Sequence, residues 1–274
     1  MLAADLPPVS APTVCLTFDF DAVSPWLHID DGRNTPTNRS RGLYGAEVGA
    51  PNVLAFLDEH DLPATWFVPG HTIDSFPDVC ERVADAHEIG HHGWSHTPPG
   101  DYEGRDAERA DVERGIESIE RLTGAPPAGY RSPSWDYSEH TVDLLCALGF
   151  DYSSSGMARE FEPYYVRDDV APSDDRYDPG EATDLLEVPV SWARDDYPPL
   201  AFASGRGYTA EDAVFDDWRA QFDHAPADGV FVLTMHPQVI GRPDRLAKLG
   251  AFVDHARAAG ATFREVGTVA ERYD

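Results

Sequence analysis

The chain has 274 residues, 42% of them hydrophobic and 26% charged, which are ordinary globular proportions and enough for one large α/β domain. Its 49 acidic residues outweigh 21 basic ones to give a formal charge of −28, a surface that repels nucleic acid and anionic lipid, so neither is expected as a partner.

Lys248 is the only lysine, the other basic residues being arginine, and an acidic, nearly lysine-free surface resembles that of halophilic proteins. Strong self-repulsion then requires screening, and stability is expected to rise with salt. Residues 1–12 lack the basic start and apolar stretch of a secretory signal, and no run approaches the roughly 18–20 apolar residues that span a bilayer, so a cytoplasmic location is expected. Cys15, Cys80 and Cys146 are too scattered for a disulfide framework, and Cys15 and Cys146 lie in apolar runs that suggest core positions.

Taken in order, residues 13–18 read as a β-branched, apolar strand, 50–60 as a helix, 64–68 as a strand, and 76–86 as a helix with Ser75 as a possible cap. A short strand is expected at 87–93. A long helix is expected at 105–123, where Val112, Ile116, Ile119 and Leu122 recur at intervals of three and four and Gly124 ends the run. Extended segments follow at 128–131, 150–153, 185–190, 230–235 and 261–263, interleaved with helices at 141–148, 210–224 and 242–259. Alternating βα units imply a parallel sheet, and seven or eight of them favour a barrel, which carries its chemistry at the C-terminal ends of the strands. The reading is of a single domain over 1–274 with two long loops, 21–49 and 154–184, each a potential lid or interface.

The strand ends hold the candidates. Asp19-Phe20-Asp21 aims two carboxylates at one spot, because alternate positions of an extended chain share a face. One could bind a metal while the other acts as base; the same pattern also occurs in nucleotide-sugar glycosyltransferases. His87-Glu88-Ile89-Gly90-His91 matches a zincin pattern, but that pattern needs a helix, and Gly90 and Gly93 interrupt one. His92 and His96, in a turn after a strand, would instead join one aspartate in a three-ligand metal site with an open position. Arg131 could hold a carboxylate ionised, Trp135 could wall a pocket, and His236, just after an apolar strand, is a credible general acid.

These motifs, in this order, resemble the polysaccharide deacetylases with a NodB-homology domain, carbohydrate esterase family 4. Thr17-Phe18-Asp19-Phe20-Asp21, His92-Gly93-Trp94-Ser95-His96, Arg131-Ser132-Pro133-Ser134-Trp135, Asp151-Tyr152-Ser153 and Leu233-Thr234-Met235-His236 look like its five motifs. The Phe between the two aspartates departs from the usual adjacent pair. It resembles an intracellular branch of peptidoglycan-deacetylase-like proteins and cyclic-imide hydrolases, as do the segments holding Glu47, Tyr165 and Trp192. The resemblance implies a distorted (β/α) barrel of about seven units and hydrolysis of an amide C–N bond. It implies one divalent metal, most often zinc, on Asp21, His92 and His96, with Asp19 as base, Arg131 as its anchor and His236 as acid. Trp135, Glu47, Tyr165 and Trp192 would contact substrate, which would be an acetamido sugar or a small cyclic imide or ureide. A homotetramer is expected as well, because Trp26, Leu43, Tyr44, Phe161, Tyr164 and Tyr165 would otherwise be exposed.

Overall fold

A computed structural model of the chain describes residues 11–28, 34–167, 180–201 and 209–273. The segments 1–10, 29–33 and 168–179, on which parts of the terminal and long-loop readings fall, lie outside the described residues. The strands are β1 (Thr13–Asp19), β2 (Thr65–Val68), β3 (Glu88–His91), β4 (Gly129–Tyr130), β5 (Tyr152–Ser153), β6 (Tyr164–Arg167), β7 (Ala182–Glu187), β8 (Val230–Met235) and β9 (Thr262–Phe263). They form one curled sheet in the order β6-β7-β5-β4-β3-β2-β1-β8, with β9 beside the start of β1. All these pairings are parallel except β6 with β7.

Seven parallel strands therefore run from β7 to β8. Among the described residues no ladder joins the ends. An isolated bridge between Asp195 and Thr234, and the Val230 N–H donating to the Phe161 carbonyl, draw the β7 side toward β8. The result is a distorted half-barrel whose strand C-termini converge on one mouth. β1 and β8 are buried almost throughout, as expected of parallel strands covered on both faces. The main core joins Phe18 and Leu16 of β1 to Trp66, Phe231, Phe215, Trp218 and Phe252 from the neighbouring strands and covering helices.

The helices Arg105–Thr123 and Thr141–Leu148 occupy the expected residues, each ending on a glycine in the left-handed region. The residues 21–49 depart from the expected loop. Pro36–Tyr44, a π turn Gly45–Gly49 and Ala50–Glu59 run on as one continuous helical rod. Gly42 and Gly49 face the sheet: a Cβ on Gly42 would collide with the Ala22 carbonyl, and one on Gly49 with the Pro237 carbonyl. The rod thus presses directly on the backbone just after Asp21 and just after His236. Ser75 ends a short helix, Gly70–Ser75, and does not cap Pro77–Ala84. Cys15 and Cys80 are buried, but Cys146 turns outward. Trp26, expected at an exposed surface, is buried within its own chain, whereas Leu43 and Tyr165 remain exposed. No described helix is long and apolar enough to cross a membrane.

Candidate active site

β1 is a buried apolar strand that ends in Asp19, and the chain turns there with Ala22 at a positive φ of 48°, so both Asp19 and Asp21 stay buried at the mouth. Arg131, fully buried just after β4, answers Asp19. Its Nη1 donates to Asp19 Oδ1 at 2.7 Å and to Thr17 Oγ1 at 2.8 Å, while Nε and Nη2 donate to the carbonyl and hydroxyl of Ser154, both at 2.8 Å. Its guanidinium lies 4.1 Å from the centre of the Phe67 ring. Burial pushes the Asp19 carboxyl up, but the charge and hydrogen bond of Arg131, with the His92 and His236 charges, together outweigh it and hold Asp19 below the usual carboxylate range. Asp151-Tyr152-Ser153 is not part of the pocket lining; Tyr152 and Ser153 form β5, which sets Ser154 against Arg131.

His92 and His96 come from the turn after β3. Gly93 takes φ 67° and His96 itself φ 61°, and the amides of Trp94 and Ser95 donate to the Asp111 carboxylate at 2.7 and 3.1 Å. Asp111, on the helix Arg105–Thr123, is a clamp on this turn that sequence reasoning missed. His92 Nδ1 lies 2.7 Å from the Arg131 carbonyl and must donate to it, which leaves the Nε2 lone pair facing Asp21 Oδ1 at 3.6 Å. His96 Nε2 is 3.5 Å from the same oxygen. The three ligand atoms lie within 4.8 Å of one another, and Asp21 Oδ1 is buried with no hydrogen-bond partner. Burial raises the Asp21 carboxyl to about 7, with the neighbouring Asp19 charge adding to the rise. Two imidazoles and an orphaned carboxylate oxygen converging in a buried site fit a divalent cation, whose charge would offset that penalty.

His91 points the other way and is structural. Its Nε2 bonds the Val112 carbonyl at 2.9 Å and its Nδ1 accepts from Gly93 N–H at 3.1 Å. Glu88–His91 is a strand, so the zincin arrangement, which needs a helix, does not form, and His87 stacks on Trp66 away from the mouth.

His236 follows β8, and its partners come from Asp195-Asp196. Asp196 accepts from the His236 backbone N–H at 3.0 Å and from Nδ1 at 2.8 Å; Asp195 Oδ1 lies 3.6 Å from Nδ1. Nε2 is left facing the mouth, 3.8 Å from Asp21 Oδ2. Burial alone would lower the His236 pKa, but the Asp196 hydrogen bond and the charges of Asp195 and Asp196 raise it to about 10, so the ring is an imidazolium at neutral pH. These three groups also lie close enough to hold an ion. Both Asp196 oxygens already bond His236, however, which makes the cluster an orienting device. Nothing in the sequence around Asp196 marks it. Only the pairing of 195–196 with β8 brings it there.

The pocket, about 220 Å³, contains Asp19, Asp21, His92, His96 and His236. Trp135 and Trp192 line it with ring centroids 4.4 Å apart, and Tyr197 lines it 5.0 Å from the His236 ring. Ser134 and Trp135 both take positive φ, 61° and 53°, a costly backbone that recurs at functional sites. Two expected substrate contacts lie elsewhere. Glu47 is exposed on the outer side of the π turn, whose glycine face is the one packed inward. Tyr165 sits on β6 with its hydroxyl donating to the Tyr273 carbonyl at 2.7 Å. Neither lines the pocket.

Comparison with known proteins matches residues 7–153 to the family Polysaccharide deacetylase. The chain is 37% identical over 256 residues to the peptidoglycan deacetylase of Helicobacter pylori, covering 86% of this chain and 87% of that protein. It is 27% identical to a peptidoglycan deacetylase-like protein of Gibberella zeae, covering 83% and 75%. Among solved structures it is 34% identical to a Mycobacterium smegmatis protein assigned to the polysaccharide deacetylases, with a TM-score of 0.82 over 99% of this chain and 93% of the other. A structure of Puue allantoinase, at 20% identity and a TM-score of 0.77 over 98% of this chain and 92% of that one, shares the fold.

Proposed function

The chain belongs to the polysaccharide deacetylase family, and from that premise we propose that it removes the acetyl group from an acetamido sugar with the help of one divalent cation, zinc foremost. The observation that carries the reading is the unpartnered Asp21 Oδ1 facing His92 and His96, flanked by the Arg131–Asp19 pair and by the Asp196–His236 pair.

Asp21, His92 and His96 would hold the cation, which would supply Lewis-acid polarisation of the amide carbonyl and acidify a water molecule. Asp19 is the base. Arg131 occupies its Oδ1, while Oδ2 faces the ligand cluster, 4.0 Å from His92 Nε2, free to take the proton of the attacking water. Because Arg131 keeps Asp19 ionised, the base is ready at any pH well above the acid range. His236 is the acid. Its proton is stored on an imidazolium held by Asp196, and its Nε2 faces the mouth from the other side, so it can protonate the leaving nitrogen as the C–N bond breaks. The products are acetate and an amine. Trp135 and Trp192 offer an aromatic face on which a sugar ring can stack.

A glycosyltransferase use of Asp19-Phe20-Asp21 is disfavoured, since Arg131 already neutralises Asp19. The experiment is a product assay on acetamido sugars, succinimide and allantoin with zinc in molar salt. Acetate released from the sugars is the expected result. Ring opening without acetate release would overturn the acetamido-sugar reading in favour of a cyclic-amide hydrolase.

A further inference from the structure

A second cavity, about 110 Å³, adjoins the active-site pocket and shares Trp26, Tyr197 and Gln238 with it. Gln238 donates to Asp21 Oδ2 at 3.4 Å and Tyr197 flanks His236, so these two side chains stand between the cavity and the groups that act on the amide. Its remaining lining includes Arg41, Arg242 and Arg245, and among the described residues no Asp or Glu lines it. In a chain where acids outnumber bases by more than two to one, a cavity lining with three arginines and no acid runs against the composition.

The position of Arg242 is also one where an anion would be favoured more than a cation. It is the cap residue at the N-terminus of the helix Pro243–Ala258, where the helix dipole is positive and a cation is disfavoured. Asp244, exposed in the first turn, offsets this in part but does not line the cavity. The Arg242 guanidinium rests on the Tyr44 ring at 4.5 Å and has no carboxylate within salt-bridge distance among the described residues. Arg245 lies deeper. Its Nε pairs with Glu211 at 2.9 Å and its Nη1 donates to the Val239 carbonyl at 2.7 Å, so it is fixed in place with its charge largely offset, and it shapes the recess more than it charges it. Helix end and accessible arginine together place positive potential in one small recess.

We propose that this recess is a subsite for an anionic substituent, a carboxylate or a phosphate, on the amine-bearing part of the substrate. The inference rests on the reading of His236 as donor to the leaving nitrogen. The cavity lies beyond Tyr197, on the His236 side of the reaction centre, and that side faces the fragment that leaves as the amine. The acetyl group would remain on the side of Asp19 and His92. Arg242 makes the direct contact and fixes the orientation of the sugar. The enzyme thereby prefers charged acetamido sugars over neutral ones, despite its own acidic surface.

The test separates anion binding from turnover. Glucose, glucose 6-phosphate and glucuronate carry no amide, so their binding to the zinc-loaded wild-type protein can be measured by calorimetry whatever the reaction is. The phosphate and the carboxylate arms distinguish the two sources of charge. At least one of the anionic sugars should bind about tenfold or more tightly than glucose, the preference should shrink with added salt, and Arg242→Gln should remove most of it while Arg242→Lys retains part. In turnover, the ratio of kcat/KM for N-acetylglucosamine 6-phosphate, or for its 3-O-lactyl counterpart, over N-acetylglucosamine should fall in Arg242→Gln. Equal binding of the neutral and both anionic sugars, or a preference unchanged in Arg242→Gln, would overturn the subsite even if acetate is released. Arg242-dependent anion binding without acetate release would sustain it while the deacetylase reading failed.

Discussion

Replacing Asp196 with asparagine tests the acid half of the site. His236 is buried, and burial by itself favours the neutral ring; the lift from 6.5 to about 10 arises because the Asp196 hydrogen bond and the charges of Asp195 and Asp196 overcome that penalty. At 1.36 kcal/mol for each tenfold change in proton affinity, the net lift amounts to about 5 kcal/mol of preference for the imidazolium. The asparagine could still accept a hydrogen bond through its amide oxygen but would carry no charge. It would forfeit the charge-assisted part of that bond and the Coulomb attraction, leaving Asp195 at 3.6 Å as the nearest anion. An acid works only while protonated, so activity is lost as pH rises through the His236 value, and lowering that value brings the loss to lower pH. The alkaline limb of kcat should move down by roughly two pH units, so kcat should change little at neutral pH, where the ring keeps its proton, and fall by up to about 10²-fold on the alkaline side, where the wild-type ring is still charged and the mutant ring is not. A cation on Asp21 adds positive charge near His236 and lowers the limb in both proteins, so the difference between them is the quantity to read. A pH profile of acetate release, on one substrate with a poor leaving group and one with an activated amide, measures it. The activated amide should lose less. An alkaline limb that stays in place in Asp196→Asn, or equal losses on both substrates, would refute the assignment of His236 as an acid tuned by Asp196.

Arg131→Met should destabilise the fold by about 3–5 kcal/mol in chemical unfolding at neutral pH, because Asp19 would be left as an uncompensated buried charge. Asp19 is depressed in the native protein, so it contributes stability above the unfolded carboxylate range that is lost as pH falls through its native value; the mutant deficit should therefore be smallest in acid, and a deficit independent of pH would contradict the ion-pair account. Gly49→Ala puts a methyl into the Pro237 carbonyl, and an overpacking cost of about 1–3 kcal/mol together with a fall in kcat from a displaced His236 is expected; a mutant with unchanged unfolding midpoint and turnover would show that the rod does not brace the site. The charge of −28 should make the thermal midpoint rise from low to molar potassium chloride, and a midpoint that falls would argue against self-repulsion as the controlling term. Light scattering at molar salt tests the expected homotetramer, and a mass near the 30.1 kDa of a single chain would refute it.

The sequence made the barrel strands and several helices visible because their signals are local. Val112, Ile116, Ile119 and Leu122 repeat with the helical period, and 230–235 is an uninterrupted apolar run. Of the rod, 50–59 is legible as a helix, but Pro36–Gly49 falls in a stretch read as loop, and its three glycines, Gly42, Gly45 and Gly49, give no helical signal. Here at least two of them permit close approach to the strand ends, a tertiary requirement with no local trace. The acids and imidazoles at Asp19, Asp21, His92, His96 and His236 could be nominated because each follows a recognisable strand. Asp196 and Asp111 could not, since one depends on a bridge to β8 and the other is a solitary carboxylate on a long acidic helix. Glu47 and Tyr165 were suggested by resemblance alone, and within one chain the fold turns both away from the pocket.

The most direct measurement of the account is zinc titration of metal-stripped protein, with bound metal and acetate release from an acetamido sugar followed together. One zinc per chain should bind, turnover should appear in proportion to it, and His92→Ala should lose the metal and the turnover while keeping its fold, since His92 makes its one hydrogen bond only to a backbone carbonyl. Asp19→Asn should bind the metal and release no acetate. Undiminished turnover in the stripped protein, or full metal occupancy in His92→Ala, would contradict the assignment of Asp21, His92 and His96 as the metal site.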